Sequence, residues 1–221
     1  MRPSLAQPAV LGVDGCPGGW IGALVTGGSV EWLLLPDAAA VLAVSASAVG
    51  IDIPIGLPAE GPRACDVAAR ALLGPRRSSV FPAPVRDVLA ATSYADACDL
   101  SRAASGRALS VQAWNLVPRI ADVDAATVEH ARVVEVHPEV VFARLAGVLP
   151  PKKTAEGAAL RVAALTSWLP AGWPPPPRPA RPDDALDALA CAWTAARWLR
   201  GEAEVLGGEP DDTGTPMRIV V

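Results

Sequence analysis

Residues 10–25 of the chain read V-L-G-V-D-G-C-P-G-G-W-I-G-A-L-V, which is two apolar runs joined by a short turn rich in glycine. Apolar runs on either side of so short a connection favour two antiparallel strands. A second glycine turn leads into a third apolar run at residues 30–35. The sequence therefore predicts three antiparallel strands, with one carboxylate, Asp14, at the end of the first. Burying a charge there is costly unless something pairs with it.

Strands and helices alternate in the rest of the chain. Asp37 is a good N-cap for a short helix, and V-G-I-D-I-P at residues 49–54 predicts a fourth strand. Residues 56–130 read as a helical insertion, after which residues 132–137 predict a fifth strand. The strongest helical pattern covers residues 181–200. We therefore predict an α/β fold in which a mixed five-stranded sheet, three strands antiparallel and two parallel, is flanked by helices.

The length and composition point to a globular protein without a membrane segment. The 221 residues suit one domain, residues 1–221, and 51% of them are apolar, so a large core is available. No apolar run approaches the ~20 residues that a membrane helix needs. The first eight residues lack the apolar centre of a signal peptide. We therefore expect a cytoplasmic protein with reduced cysteines, since none of the four cysteines forms a C-x-x-C pair.

Charge is unevenly distributed along the chain. Residues 61–119 hold eight arginines and four acids, so they carry +4, while the whole chain carries −4 and the remainder therefore −8. The net charge argues against a general nucleic-acid coat protein, whereas a basic segment on an acidic body favours a face for an anionic substrate. We predict that this segment overhangs the acidic part of the molecule with its arginines inward. The alternative is a pair of solvated surface helices.

Four acids stand on otherwise apolar elements. Asp52 interrupts the fourth strand, and Asp184 and Asp187 are three residues apart on the last helix, where they share a face. Like charges on one face repel each other unless a cation lies between them, and Mg²⁺ and Mn²⁺ prefer carboxylate oxygens. Three of these acids also have a structural interpretation: Asp14 as a cap of its own turn, Asp52 as a cap of the turn that follows it, and Asp184, or its neighbour Asp183, as the N-cap of the last helix.

Five segments together resemble a known family: G-V-D-G-C-P-G-G-W, I-D-I-P-I-G-L-P, R-S-S-V-F-P-A-P-V-R, E-V-H-P-E and P-D-D-A-L-D-A. The first looks like the opening hairpin of the RNase H superfamily, and the last is similar to the final-helix motif of its Holliday-junction resolvases. The whole set resembles the DUF429 family, described as predicted nucleases with an RNase H fold. The resemblance implies an RNase H-like fold in which Asp14, Asp52, Asp184 and Asp187 bind Mg²⁺ or Mn²⁺. The resolvases often carry Glu where this chain has Asp52.

Further residues are candidates for the same site. Glu135 and His137 lie on one face of the fifth strand and would add a metal ligand and a proton shuttle, although His137 before a proline also suits a strand end. Residues for contacts with substrate phosphates lie in two loops, whose alternative is ordinary solvation. These residues are Arg76, Arg77, Ser78, Ser79, Arg86, Lys152 and Lys153.

The expected function is a Mg²⁺- or Mn²⁺-dependent phosphodiesterase, a nuclease that acts on nucleic acid through two metal ions. One alternative is a phosphotransferase of the sugar-kinase and actin superfamily, for which the chain is too short and shows only one phosphate-binding hairpin. Another is a non-catalytic nucleic-acid or ligand-binding protein with the same fold. The sequence leaves open the choice between DNA and RNA and the oligomeric state.

Overall fold

A computed structural model describes residues 8–127 and 131–221. Its centre is a five-stranded sheet in the order β3-β2-β1-β4-β5, which confirms the predicted fold class. The first three strands are antiparallel neighbours, and β4 and β5 run parallel to β1. The strands are β1 (Val10–Cys16), β2 (Gly19–Thr26), β3 (Ser29–Leu35), β4 (Ala48–Ile51) and β5 (Val133–Glu135).

Seven α-helices among the described residues flank the sheet. Asp37 and Thr154 cap α1 and α6 with their side chains, since Ala40 N donates to Asp37 Oδ1 and Gly157 N donates to Thr154 Oγ1. None of the described helices is both long and apolar enough to cross a membrane. The helices are α1 (Ala38–Ala43), α2 (Ala64–Leu73), α3 (Tyr94–Ser105), α4 (Val111–Thr127), α5 (Pro138–Ala146), α6 (Ala155–Thr166) and α7 (Pro182–Leu199).

Helix α7 packs directly onto β1 and β4 because two glycines leave room for its backbone. A Cβ atom at Gly12 would lie 2.0 Å from Ala188 O, and one at Gly50 would lie 2.4 Å from Cys191 O, so neither position accepts a side chain. Side chains alternate between the two faces of a strand. The residues two positions after these glycines, Asp14 and Asp52, therefore project on the α7 side of the sheet.

The opposite face of the sheet is covered by α4. Ile120 and Val123 of this helix share a core with Val13 and Ile51. The helix continues through Pro118, whose ring lies on its exposed side. Between β4 and α4 the chain forms α2, two short 3-10 segments (Gly74–Ser79 and Arg86–Ala90) and α3. Helices thus form much of residues 56–127, while residues 128–130 lie outside the described part of the chain. That residues 56–130 are an insertion within one domain stays a prediction.

Two parts of the chain were not assigned from the sequence. Helix α5 starts at Pro138, shortly after the end of β5, with no side-chain hydrogen bond capping it. The C-terminal segment forms a two-stranded hairpin of β6 (Val205–Pro210) and β7 (Pro216–Val220). A parallel bridge between Val136 and Val220 attaches this hairpin to the edge of the central sheet.

Candidate functional site

Asp14 and Asp52 lie side by side at the carboxyl ends of β1 and β4. Val13 and Ile51 are partners in the parallel ladder, and Asp52 N donates to Val13 O at 3.0 Å. Asp14 and Asp52 each come one residue after this pair, so their side chains project from the same face of the sheet. The carboxyl ends of neighbouring parallel strands are a common location for ligand sites in α/β sheets.

Asp187 and Lys152 complete this group from two other parts of the chain. Asp187 projects from α7 and is only 4% exposed. Lys152, in the loop between α5 and α6, donates from Nζ to Asp187 Oδ2. Asp14 and Asp52 also lie close enough to interact electrostatically with the Lys152 ammonium. We refer to Asp14, Asp52, Asp187 and Lys152 as the acid cluster.

Asp184, three residues before Asp187, has a different position. Its Oδ2 accepts from Arg181 N at 2.9 Å, so it caps the first turn of α7. Of the two interpretations that the sequence left open for Asp184, the contacts support the helix cap. The helix thus contributes one acid, Asp187, to the cluster.

Burial and mutual repulsion change the acidity of the cluster. Burial, followed by the charges of Asp187 and Asp52, raises the pKa of Asp14 well above its usual value. Burial also raises the pKa of Asp52 to about 7 and that of Asp187 to about 7, and the Lys152 ammonium offsets only part of each shift. These carboxylates therefore gain from any positive charge that reaches them.

A cavity of about 160 Å³ opens beside Asp14 and Asp52. Arg119 of α4 reaches it across the end of β1, where a Cβ at Gly15 would lie only 2.9 Å from Arg119 Nη1. The Arg119 guanidinium donates to Cys16 O at 2.8 Å and lies 5.6 Å from the centre of the Trp20 ring. The cavity thus brings a fixed cationic group close to the acids.

His137 lines the same cavity. Its Nε2 lies 3.3 Å from Ser79 O, an acceptor, which favours the tautomer with the proton on Nε2. Its Nδ1 is buried and has no hydrogen-bond partner among the described residues. Burial lowers the pKa of His137, so the neutral ring dominates at pH 7.

Glu135 is not part of the acid cluster, although the sequence suggested it as a metal ligand. It pairs with Ile51 in the sheet, and the side chain of Ile51 lies in the core on the α4 side, opposite to Asp52. Both Glu135 oxygens accept from Arg63 at 2.7 Å, and Arg63 also donates to both oxygens of Asp66. We refer to Arg63, Asp66 and Glu135 as the arginine cluster.

Apart from Lys152, which belongs to the acid cluster, the residues expected to contact substrate phosphates are distributed outside the cavity. Arg86 pairs with Asp124 and with Asp211, which lies in the β6–β7 connection, so its contacts join the insertion to the hairpin. Arg76 Nη2 lies 3.6 Å from Glu139 Oε2. Ser79 reaches the site only through its carbonyl oxygen, the partner of His137 described above. The remaining ones, Arg77, Ser78 and Lys153, are exposed.

Of the arginines in residues 61–119, Arg63 and Arg119 line the cavity, whereas Arg102 lies on the surface with Asp99. The inward orientation predicted for this segment therefore holds for two of the eight arginines.

Sequence reasoning did not single out Arg119 or Glu139. Glu139 is the last residue of the segment E-V-H-P-E. It raises the pKa of Asp52 and Asp187, while its own carboxylate accepts from Arg161 at 2.7 Å and 2.8 Å. The position of Glu139 in a motif shared with the family was the available signal. Arg119 gave none, because one arginine among eight in a segment carries no spacing information.

The donor atoms fit a hard divalent ion held by few protein ligands. Within residues 8–127 and 131–221, no three His, Cys, Asp or Glu side chains form a group that could hold a metal ion by themselves. Mg²⁺ is usually bound through one or two carboxylates, with waters and substrate phosphates as the other ligands. Asp187 Oδ1 is buried and no described donor reaches it, which is unfavourable unless a cation does. Carboxylate oxygens of this kind suit Mg²⁺ or Mn²⁺.

Comparison with known proteins gives the family. Residues 12–212 match the model of the family described as "Protein of unknown function (DUF429)", and the chain belongs to that family. No curated protein and no solved structure matches the chain.

Proposed function

We propose that this member of the DUF429 family is a Mg²⁺- or Mn²⁺-dependent phosphodiesterase that acts on nucleic acid. The observation that supports this most directly is the acid cluster, in which carboxylates from β1, β4 and α7 converge next to a cavity that also holds Arg119. The strand order β3-β2-β1-β4-β5, with three antiparallel strands and then two parallel ones, is the order expected for an RNase H-like nuclease.

Asp14, Asp52 and Asp187 are the candidates for the one or two carboxylates that would bind the divalent ion directly, with waters and substrate phosphates as its other ligands. When bound, such an ion polarises a phosphoryl oxygen and makes an attacking water more acidic. The protein's own part is to gather the carboxylates at fixed positions on rigid strands and a helix. Because burial has already raised their pKa values, they are poorly stabilised as anions until a cation arrives.

Arg119 would bind a phosphate oxygen of the substrate. Its hydrogen bond to Cys16 O and its position over the Trp20 ring fix the guanidinium while using only part of its five N–H donors. No carboxylate among the described residues forms an ion pair with it, in contrast to Arg63 and Arg86. An arginine that is held in place but has free donors is well suited to a phosphodiester.

His137 would move the proton that the reaction releases. The neutral ring keeps its proton at Nε2, next to Ser79 O, and can accept another at Nδ1. It lines the same cavity as Asp52 and Arg119.

The test is cleavage of single-stranded, duplex and branched DNA and RNA with Mg²⁺ or Mn²⁺, with ATP hydrolysis measured in parallel. Asp14→Asn is expected to lower the rate by at least about 100-fold, because it removes a charge that the reaction needs in a preorganised position. Asp99→Asn, which changes an exposed carboxylate on α3, is the control of equal charge. Mg²⁺ is expected to raise the melting temperature of the wild type more than that of Asp14→Asn.

Three other results of this experiment would each favour a different explanation. Undiminished cleavage by Asp14→Asn would assign the activity to different residues. Stabilisation by metal without cleavage of any substrate would favour a non-catalytic nucleic-acid-binding protein. ATP hydrolysis that does not need nucleic acid would favour the phosphotransferase alternative.

A further inference from the structure

Lys152 differs from an ordinary surface lysine because its loop is tightly held. The Thr154 hydroxyl donates to Pro151 O at 2.8 Å, and the Arg161 guanidinium donates to Pro150 O at 2.9 Å. A Cβ at Gly157 would lie 2.2 Å from Pro151 O, so the first turn of α6 fits directly against the loop. Arg161 itself is fully buried. The backbone on the N-terminal side of Lys152 is therefore fixed at the start of α6.

The side chain of Lys152 uses this fixed position to enter the acid cluster. Its Nζ donates to Asp187 Oδ2, and Asp14 and Asp52 act on the same ammonium. The neighbouring Lys153 is exposed, so the loop directs one of its two lysines inward. The other oxygen of the buried Asp187 carboxylate, Oδ1, has no described partner. One oxygen of Asp187 is thus taken by a protein cation, and the other is available to a second cation.

The charges indicate how many divalent ions such a cluster accepts. Three carboxylates and one ammonium leave two negative charges, which a single divalent ion neutralises. A second divalent ion would leave an excess of two positive charges in a largely buried group, and uncompensated buried charge is strongly unfavourable. The ammonium and a second divalent ion are therefore alternatives.

We propose that Lys152 is a built-in cation that takes the place of a second metal ion, so that the acid cluster binds one divalent ion per chain. The role of the bound ion in catalysis rests on the proposed function, whereas the number of bound ions is measured without any substrate. It replaces the two-metal arrangement expected from the sequence and gives Lys152 a role toward the carboxylates instead of the substrate phosphates.

The experiment counts Mn²⁺ ions bound to the full-length, chelator-treated protein, by titration calorimetry and by the electron paramagnetic resonance signal of free Mn²⁺. The variants are Lys152→Met and, as the matched control, Lys153→Met. The two substitutions change the net charge equally and affect adjacent residues, so only the contact with the acid cluster distinguishes them. We expect one Mn²⁺ for the wild type and for Lys153→Met, and two for Lys152→Met. If Lys152→Met does not fold, Lys152→Gln is measured in its place with the same expectation.

Two ions bound to the wild type would overturn the proposal, and so would one ion bound to the folded Lys152 variant. Either result leaves the phosphodiesterase proposal intact as long as cleavage depends on metal. Absence of Mn²⁺ binding in all variants would overturn both proposals.

Discussion

The arginine cluster and the acid cluster are both built from buried carboxylates and one basic side chain, and residues of both line the same cavity, yet their contacts differ. In the arginine cluster every carboxylate oxygen accepts a hydrogen bond. Glu135 Oε2 also accepts from Ile55 N, and Asp66 Oδ2 from Ala83 N. Arg63 donates through all three of its nitrogens. Such a group is complete without a ligand.

In the acid cluster, by contrast, some carboxylate oxygens accept no hydrogen bond from a described residue. Asp187 Oδ1 has no described partner, and no hydrogen bond from another described side chain reaches Asp52. One ammonium faces three carboxylates. Native proteins leave few buried polar groups unsatisfied, and those that remain need an explanation. On the proposed function, the unpaired oxygen of Asp187 is a position at which a metal ion would bind.

The largest expected effect is on the arginine cluster. Removal of one partner from a buried, hydrogen-bonded charge group leaves the others uncompensated, so Arg63→Met is expected to lower the free energy of unfolding by about 3–5 kcal/mol. The Arg63 side chain is 1% exposed. Urea denaturation followed by circular dichroism measures the loss. Arg102→Met is the control, since the pair of Arg102 with Asp99 is 57% and 77% exposed and is expected to contribute less than about 1 kcal/mol. A loss below about 1 kcal/mol for Arg63→Met would contradict a structural role for this cluster.

In the acid cluster, by contrast, removal of a charge is expected to raise the free energy of unfolding. The pKa of Asp52 is about 7 in the folded protein, chiefly because of burial, against about 3.9 in an unfolded chain. Between these values the folded state binds more protons than the unfolded state, so the stability of the metal-free wild type falls as the pH rises from about 4 to 7. Asp52→Asn lacks this loss and is expected to be more stable than the wild type by about 1–3 kcal/mol at pH 7.5, with little difference at pH 4.

Unfolding of both proteins in the presence of a chelator, at several pH values, measures this difference. A substitution that destabilises the metal-free protein equally at all pH values would show that Asp52 is structural. With saturating Mg²⁺ the wild type is expected to become the more stable of the two proteins. The reason is that the folded wild type, with all its carboxylates, binds the ion more tightly than Asp52→Asn does.

Local patterns were sufficient to predict the framework of the site. The hairpin of residues 10–25, the strand that ends next to Asp52 and the helix that contains Asp187 all have apolar periodicity within a few residues. The structure confirms the strands, the sheet that they form and the helix. Gly12 and Gly50 were visible as glycines within strands. Their function as the contact points of α7 depends on packing between distant segments, which the sequence pattern does not contain.

The partners of the charged groups could not be predicted for the same reason. Glu135 is 72 residues from Arg63, and Lys152 is 35 residues from Asp187. Strand alternation correctly separates the two faces of β5, but it does not tell which face meets α7. Helix α5 escaped prediction because it has no side-chain cap. The hairpin of β6 and β7 escaped prediction because β6 is largely exposed and has little apolar alternation.

The smallest effect on stability is expected at Asp184, which lies one turn before Asp187 on α7. Asp184 and Asp187 have the same spacing that the resolvase motif has, but Asp184 accepts from Arg181 N at the helix start, whereas Asp187 enters the acid cluster. Asp184→Ala is therefore expected to lower the free energy of unfolding by about 0.5–1 kcal/mol through loss of the cap. It is expected to leave the number of bound Mn²⁺ ions unchanged.

Asp187→Asn is the matched substitution, since it removes an equal charge one turn away on the same helix. It is expected to weaken Mn²⁺ binding by at least about tenfold, because an amide offers the ion a neutral ligand in place of a carboxylate. Calorimetric titration with Mn²⁺ and urea denaturation of both variants give the two quantities. If Asp184→Ala weakened Mn²⁺ binding as much as Asp187→Asn, Asp184 would be a ligand of the metal site. One side chain would then both cap the helix and bind the metal.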